Sequence, residues 1–237
     1  MTSILCVIPA RGGSKGVPGK NLREIAGKPL IVWTIEHALA MITPQVSVVV
    51  STDDPVIAEV AREAGAHTPF LRPAELAQDD TPTEPVVLHA LDHLSGATPD
   101  AVMLLQATSP VRHPGTLDRA IAEFAGGGFD SLVGVVPQAP FLWQRHGDAD
   151  PTAAYDVNRR LRRQDMGPDD LRYRETGSLY VTRTDIYRTL HNRLGGGIGL
   201  FVMAEDEGID VDTELDLQVA DITLRTMSGT TSKGHRP

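Results

Sequence analysis

Short, mainly apolar runs alternate with stretches of helical period, and this alternation leaves the chain few architectures. "SILCVIP" (3–9), "VSVVVS" (46–51), "AVMLLQ" (101–106) and "DSLVGVV" (130–136) are too continuously apolar for strands with one wet face. Between them, "PLIVWTIEHALAM" (29–41), "DPVIAEVAREAG" (54–65), "TEPVVLHALDHL" (83–94) and "PGTLDRAIAEFA" (114–125) read as helices. Strands buried on both faces, with helices covering them, define an α/β class: a single doubly wound, mostly parallel sheet.

The pattern breaks over 138–175, which is polar, aromatic at intervals, and holds six arginines between 159 and 174. So long an irregular stretch inside a compact domain reads as an arm, a lid or an interface element. A flexible, solvated insertion is the alternative. Regular structure returns with "GSLYVTR" (177–183), a short helix from Thr184, a glycine-rich turn at 195–197, "IGLFVMA" and a last helix from about Thr213. One domain over 1–226 is expected, with 138–175 inserted and a disordered tail over 227–237.

Composition excludes several classes. With 41% hydrophobic and 22% charged residues the chain is built like a globular protein. No apolar run approaches the roughly 18 residues of a membrane span, and the first ten residues lack the basic start of a signal peptide, so a cytoplasmic protein without membrane contact is expected. Cys6, the single cysteine, reads as a small buried hydrophobe. A net charge of −9 argues against nucleic acid as a partner. Yet residues 1–28 hold five basic side chains against Glu24 alone, and three of the four lysines fall between positions 15 and 28. Compact ammonium groups gathered in this way suit phosphate.

They lie in "PARGGSKGVPGKN" (9–21), directly after the first apolar run. Position counting excludes a Walker A loop, because Ser14 stands where its first glycine belongs and Asn21 follows Lys20. It also excludes the dinucleotide fingerprint, since no glycine follows Gly12 two positions later. What remains is a glycine-rich loop at the carboxyl end of a strand, the place where open α/β sheets bind ligands, carrying Arg11, Lys15 and Lys20. A glycine-rich turn with solvated charges is the bland alternative.

"IPARGGSKGVPGKNLREIAGKPLIVWTI", "VVVSTDDPVIAEVAREAGA", "LRPAELAQDDTPT", "LLQATSPVR" and "IDVDTELDLQVAD" together resemble the acylneuraminate cytidylyltransferases and the related enzymes that activate legionaminic and pseudaminic acids. The resemblance covers nearly everything except the arm and the tail. It implies transfer of CMP from CTP to the anomeric hydroxyl of a nine-carbon α-keto sugar acid, with release of pyrophosphate. Arg11 and Lys20 would then hold the triphosphate with help from Lys15, and Asn21 would lie by the ribose. Arg72, Thr81 and Thr83 would lie beside the nucleoside, although Thr83 can equally cap a helix. Gln106 would face the acceptor sugar, or serve as a buried structural glutamine.

Asp210 and Asp212 are one residue apart, so an extended segment projects both carboxylates to one side about 7 Å from each other. Such a pair suits Mg2+, which takes one or two carboxylates and completes its shell with water and phosphate. Asp212 as an N-cap, or Thr213 with Asp216 as a capping box, would account for the same stretch without metal; the resemblance favours the metal. It also implies a homodimer in which the arm closes over the neighbouring subunit's acceptor site, with Arg163 and Arg174 reaching the sugar carboxylate. The bland reading of those arginines is a solvated basic face. The sequence departs from the family's usual pattern at Ala107, where proline is usual, and at Thr176, where an asparagine lines the sugar pocket. Sialic, legionaminic and pseudaminic acids all stay open. Two rivals remain: a transferase joining another NTP to a sugar 1-phosphate, and a binding regulator without catalysis.

Overall fold

A computed structural model describes residues 2–43, 45–147 and 149–231. In chain order the elements are β1 (Ile4–Pro9), the short strands β2 (Glu24–Ile25) and β3 (Lys28–Pro29), α1 (Leu30–Leu39), β4 (Val46–Ser51), α2 (Pro55–Glu63), α3 (Thr83–Asp92) and β5 (Ala101–Leu104). There follow α4 (Thr116–Gly127), β6 (Ser131–Gln138), β7 (Trp143–His146), β8 (Ala149–Ala153), β9 (Arg172–Arg183), α5 (Thr184–Leu190), β10 (Ile198–Val202) and α6 (Glu214–Thr231).

Six strands form the central sheet in the order β10-β6-β9-β5-β1-β4. All neighbours pair in parallel except β9, which runs antiparallel to both β5 and β6. A strand that returns from β6 through an irregular arm needs no crossover helix, so it can lie beside β6 in the opposite sense. In β1, Ile4, Cys6 and Ile8 pack with α1, α2 and α4, while Leu5 and Val7 pack with α3 and α5. Both faces of β1 are therefore buried, which is why its sequence is apolar throughout instead of alternating.

The carboxyl ends of β1, β4 and β5 open on one edge of the sheet, and antiparallel β9 passes that edge at Thr176 and Gly177. Helix α6 returns to the same region. Leu217, Ala220 and Leu224 pack against Ile25, Leu30, Val111 and Val211, and the Val211 N–H donates to the Thr108 carbonyl at 2.8 Å. The acidic segment before α6 is thereby fixed beside the loop after β5.

Two boundaries differ from the sequence reading. Within the expected arm, Arg172–Glu175 already belong to β9 and pair with Gln138–Val135 of β6, so the sheet runs on into it before the β7–β8 hairpin. Helix α6 continues through Thr231, so residues 227–231 of the expected disordered tail are helical, and 232–237 lie outside the described residues. Among the described residues no helix is long and apolar enough to cross a membrane.

Candidate functional site

At this edge the loop after β1 faces the segment 72–83, the loop after β5 and the acidic segment before α6. Arg11, Lys20, Asn21, Arg72, Thr81, Thr83 and Gln106 all line one cleft, so most of the nucleotide-side residues expected from sequence are brought together. Lys15 stands at its rim, exposed, with its ammonium 2.6 Å from Asp79.

The β1 loop is fixed from three directions. Lys20, whose side chain is only 12% exposed, donates to the Val211 carbonyl at 2.5 Å and lies 3.2 Å from Asp212 Oδ1. Asn21 donates through Nδ2 to the Arg11 carbonyl at 3.0 Å, so its amide braces the loop from within as well as lining the cleft. The Gly12 N–H donates to Asp53 Oδ1 at 3.1 Å, and the same carboxylate lies 3.6 Å from Arg72. Burial holds the Arg72 guanidinium below its ordinary pKa, with Asp53 opposing the shift. Glycine is required at position 16, where a Cβ would stand 2.4 Å from the Asp212 carbonyl oxygen. The loop and the acidic segment are thus in backbone contact, although nearly 200 residues separate them in sequence.

Both carboxylates of the acidic pair sit here in unequal settings. Asp212 is exposed and pairs with Lys20, whereas Asp210 is half-buried and accepts from the Ser109 hydroxyl at 3.4 Å. Burial pushes the Asp210 carboxyl above its usual pKa; a hydrogen bond from Thr108 counteracts this, and the negative Asp212 adds to it. The capping alternative is resolved by geometry. Thr213 Oγ1 accepts the Asp216 N–H at 3.2 Å, and Asp216 Oδ2 accepts the Thr213 N–H at 2.8 Å. That capping box accounts for Thr213 and Asp216 and leaves the carboxylates of Asp210 and Asp212 turned to other work. Two carboxylates, one held partly out of water and beside a like charge, form a hard-oxygen donor set that a divalent cation would relieve. Among the described residues no cluster of three or more metal-ligating side chains gathers, so such an ion would draw its remaining ligands from substrate and water.

On the acceptor side the placement is mixed. Gln106 is half-buried at the carboxyl tip of β5, lines the cleft, and lies against Gly177, where a Cβ would come within 2.8 Å of its Oε1. Gly177 also has φ +68°, so both backbone and space demand glycine there. Thr176 is 3% exposed, and its hydroxyl donates to the Gly134 carbonyl at 3.0 Å. That hydroxyl is committed to a bulge of the β6–β9 pair and does not line the cleft. Thr83 opens α3 without capping it and lines the cleft, so the helix-cap alternative falls. Arg174 donates to the Gly208 carbonyl at 3.0 Å, next to the acidic segment, whereas Arg163 is exposed on the arm and does not line the cleft of its own chain.

Two residues here carry no assignment from sequence. Arg112 is 1% exposed; its guanidinium donates to the Ser178 carbonyl at 2.6 Å, to Thr34 Oγ1 at 3.1 Å and to the Gln106 carbonyl at 3.4 Å, joining the end of β5 to the middle of β9. Burial lowers its pKa to about 10. Nothing in an arginine after "SPV" signals burial. Asp79, one of an adjacent carboxylate pair, bridges Arg11 at 2.8 Å and Lys15 at 2.6 Å. An acidic doublet in a segment facing a cationic loop was the available signal.

Comparison with known proteins gives a family model described as cytidylyltransferase, matching residues 5–148. An N-acylneuraminate cytidylyltransferase of Oncorhynchus mykiss is 35% identical over 225 residues, which are 92% of this chain and 49% of that protein. A CMP-N,N'-diacetyllegionaminic acid synthase of Legionella pneumophila is 47% identical over 120 residues, 50% of this chain and 51% of that protein. The chain thus spans about half the length of these curated relatives. Among solved structures, a CMP:2-keto-3-deoxy-manno-octonic acid synthetase complexed with CTP superposes with a TM-score of 0.71 at 18% identity, over 95% of this chain and 100% of the other. At that identity the likeness is one of fold.

Proposed function

The chain belongs to the cytidylyltransferase family, and from that premise we propose that it transfers CMP from CTP to the anomeric hydroxyl of an acylated nine-carbon α-keto sugar acid. The anomeric oxygen attacks the α-phosphorus, the bond to the β-phosphate oxygen breaks, and pyrophosphate leaves. The relatives named for sialic and legionaminic acid chemistry support the acceptor class, and the match to the cytidylyltransferase family model supports the nucleotide. One observation carries the reading. Cations of the β1 loop, the nucleoside-side residues of 72–83, Gln106 and a carboxylate pair all converge on one sheet edge.

In this reading the protein acts mainly by position and charge. Arg11, Lys15 and Lys20 neutralise the triphosphate and the charge that grows on the departing pyrophosphate. Lys20 is the most constrained, since the Val211 carbonyl and Asp212 hold its ammonium in place. Arg72, Thr81 and Thr83 border the nucleoside, with Asn21 holding the loop in shape by the ribose. Gln106 orients the sugar. Cytidylyltransferases of this family commonly use a divalent metal, and we assign Mg2+ to Asp210 and Asp212, where it would supply further neutralisation of the phosphates. That assignment rests on the oxygen-only donor set and on the half-burial of Asp210 beside a like charge, which raises its pKa.

We further assign the 138–175 arm to a homodimer contact in the cytoplasm, with Arg163 and Arg174 offered to the neighbouring subunit's sugar carboxylate. The exposed Leu142, Trp143 and Val157 on the arm support a protein contact there. Pyrophosphate release measured with CTP, UTP, ATP and GTP against sugar acids and sugar 1-phosphates tests the activity. Turnover is expected with CTP and a sugar acid; turnover confined to a sugar 1-phosphate overturns the reading.

A further inference from the structure

We propose that Asp79 is the internal occupant of the phosphate grip: a carboxylate that any phosphate ligand must displace, and that sets how much negative charge a ligand needs in order to bind. The assignment of this grip to CTP rests on the transferase reading above; the occupancy by Asp79 does not.

Each cation at the site has a carboxylate partner, but the partners differ in kind. Asp53, paired with Arg72, also accepts from Gly12 and belongs to the frame of the loop. Asp212, paired with Lys20, belongs to the acidic segment. Asp79 alone among these three carboxylates lines the cleft itself, and its two oxygens are divided between two cations, Arg11 and Lys15. One anionic group bridging an arginine and a lysine at 2.8 and 2.6 Å has the disposition of a phosphate oxygen pair.

The segment that carries Asp79 holds its own shape. Residues Ala74–Leu76 form a 3-10 turn, Gln78 donates from Nε2 to the Ala74 carbonyl at 2.7 Å, and Thr81 Oγ1 donates to the Glu75 carbonyl at 3.3 Å. Its side-chain contacts to the β1 loop are the two Asp79 pairs and a hydrogen bond from Arg11 to the Gln78 carbonyl at 2.9 Å. Asp79 keeps 45% of its side-chain surface exposed, so exchange needs no core to open.

The consequence is selection by charge. A ligand can occupy the grip only by the difference between its own attraction to Arg11 and Lys15 and that of the carboxylate it replaces. A phosphate carrying one or two charges gains little by the exchange, whereas a polyphosphate gains at every added group. After a transfer step the same carboxylate competes with pyrophosphate for the two cations and favours its departure.

Isothermal titration of the full chain with sodium tripolyphosphate, pyrophosphate and orthophosphate tests this, comparing the wild type with Asp79→Asn, Asp79→Ser and Asp80→Asn. Asp80 carries the same charge next door without an ion pair among the described residues. Both Asp79 variants are expected to bind tripolyphosphate and pyrophosphate roughly three- to tenfold tighter, the gain from removing a competitor held by two exposed ion pairs. Asp80→Asn is expected to match the wild type. Unchanged or weaker polyphosphate binding by both Asp79 variants overturns the inference, as does an equal gain in Asp80→Asn, which would mean general charge. A wild type that turns over CTP with no gain in the variants removes the inference alone. A wild type inert with every sugar acid, beside variants that do gain, removes the transferase reading and leaves the inference.

Discussion

Lys20 and Asp212, 192 positions apart in sequence, meet at 3.2 Å, and the same ammonium donates to the Val211 carbonyl at 2.5 Å. The β1 loop and the acidic segment are therefore one structural unit. Replacing Lys20 by Met keeps most of the stem packing and removes the charge. Loss of one preorganised charge stabiliser costs about 10²–10³ in kcat in comparable sites. We expect a fall of that order in pyrophosphate release with little change in melting temperature. A kcat within twofold of wild type would show that Lys20 is only structural.

Asp212 and Asp216 lie four residues apart but are expected to fail differently. Asp216 accepts from the N–H groups of both Thr213 and Asp212 and closes the start of α6, so Asp216→Ala should cost about 0.5–2 kcal/mol in unfolding free energy. Its divalent-cation dependence should match the wild type. Asp212→Asn should leave the melting temperature near that of wild type while raising the Mg2+ concentration needed for half-maximal turnover at least tenfold, about the loss of one charged ligand interaction. Chelation by EDTA should silence the wild type, with recovery on Mg2+ addition. The same Mg2+ curve for Asp212→Asn and wild type would remove Asp212 from the metal assignment.

The layers of the fold were readable because strands buried on both faces need not alternate, and the runs at 3–9, 46–51 and 101–106 are mainly apolar. The direction of β9 was not, because "GSLYVTR" looks the same in either sense and only its pairing with β6 across the arm decides. At the candidate site, the placement of residues set by chain-local chemistry was legible, Arg11 and Lys20 by their loop and Asp210 and Asp212 by their spacing, while their roles stay proposals. Thr176 was read from the position it shares with a sugar-lining asparagine, but the bulge at Gly134 takes its hydroxyl away from the cleft. Arg112 shows the limit most plainly, since its task of joining the Gln106 and Ser178 carbonyls exists only once the end of β5 lies beside the middle of β9.

Gly177→Ala should separate the two substrates. The added Cβ meets Gln106 Oε1 at 2.8 Å on a backbone at φ +68°, which costs of order 1 kcal/mol and pushes the glutamine side chain aside. In the proposed reading Gln106 orients the sugar acid, so the KM for the sugar acid should rise severalfold while the KM for CTP stays within twofold. Equal increases in both would place Gln106 in nucleotide binding instead.

The last prediction concerns His37, a group that does not line the cleft and that contributes to how the protein responds to acid. Its pKa is lowered to about 3, first by burial and then by the positive charges of Arg112 and Lys28, and its Nδ1 is buried with no partner among the described residues. The folded state therefore keeps the ring neutral where an unfolded chain, with an ordinary histidine pKa of 6.5, takes up a proton. Above pH 6.5 both states are neutral and His37 adds no pH dependence. Between pH 6.5 and about 3 the unfolded state binds one more proton than the folded state, so stability falls as pH falls. His89, lowered chiefly by burial and then by His93, acts in the same direction, so the wild-type slope alone does not isolate His37. The difference from His37→Gln does, because glutamine stays neutral in both states. Urea unfolding between pH 5.0 and 6.5, above most of the carboxylate range, should show the variant losing about 1–2 kcal/mol less than the wild type across that interval. Parallel curves for the two proteins would mean that the folded state accepts a proton on His37 without penalty.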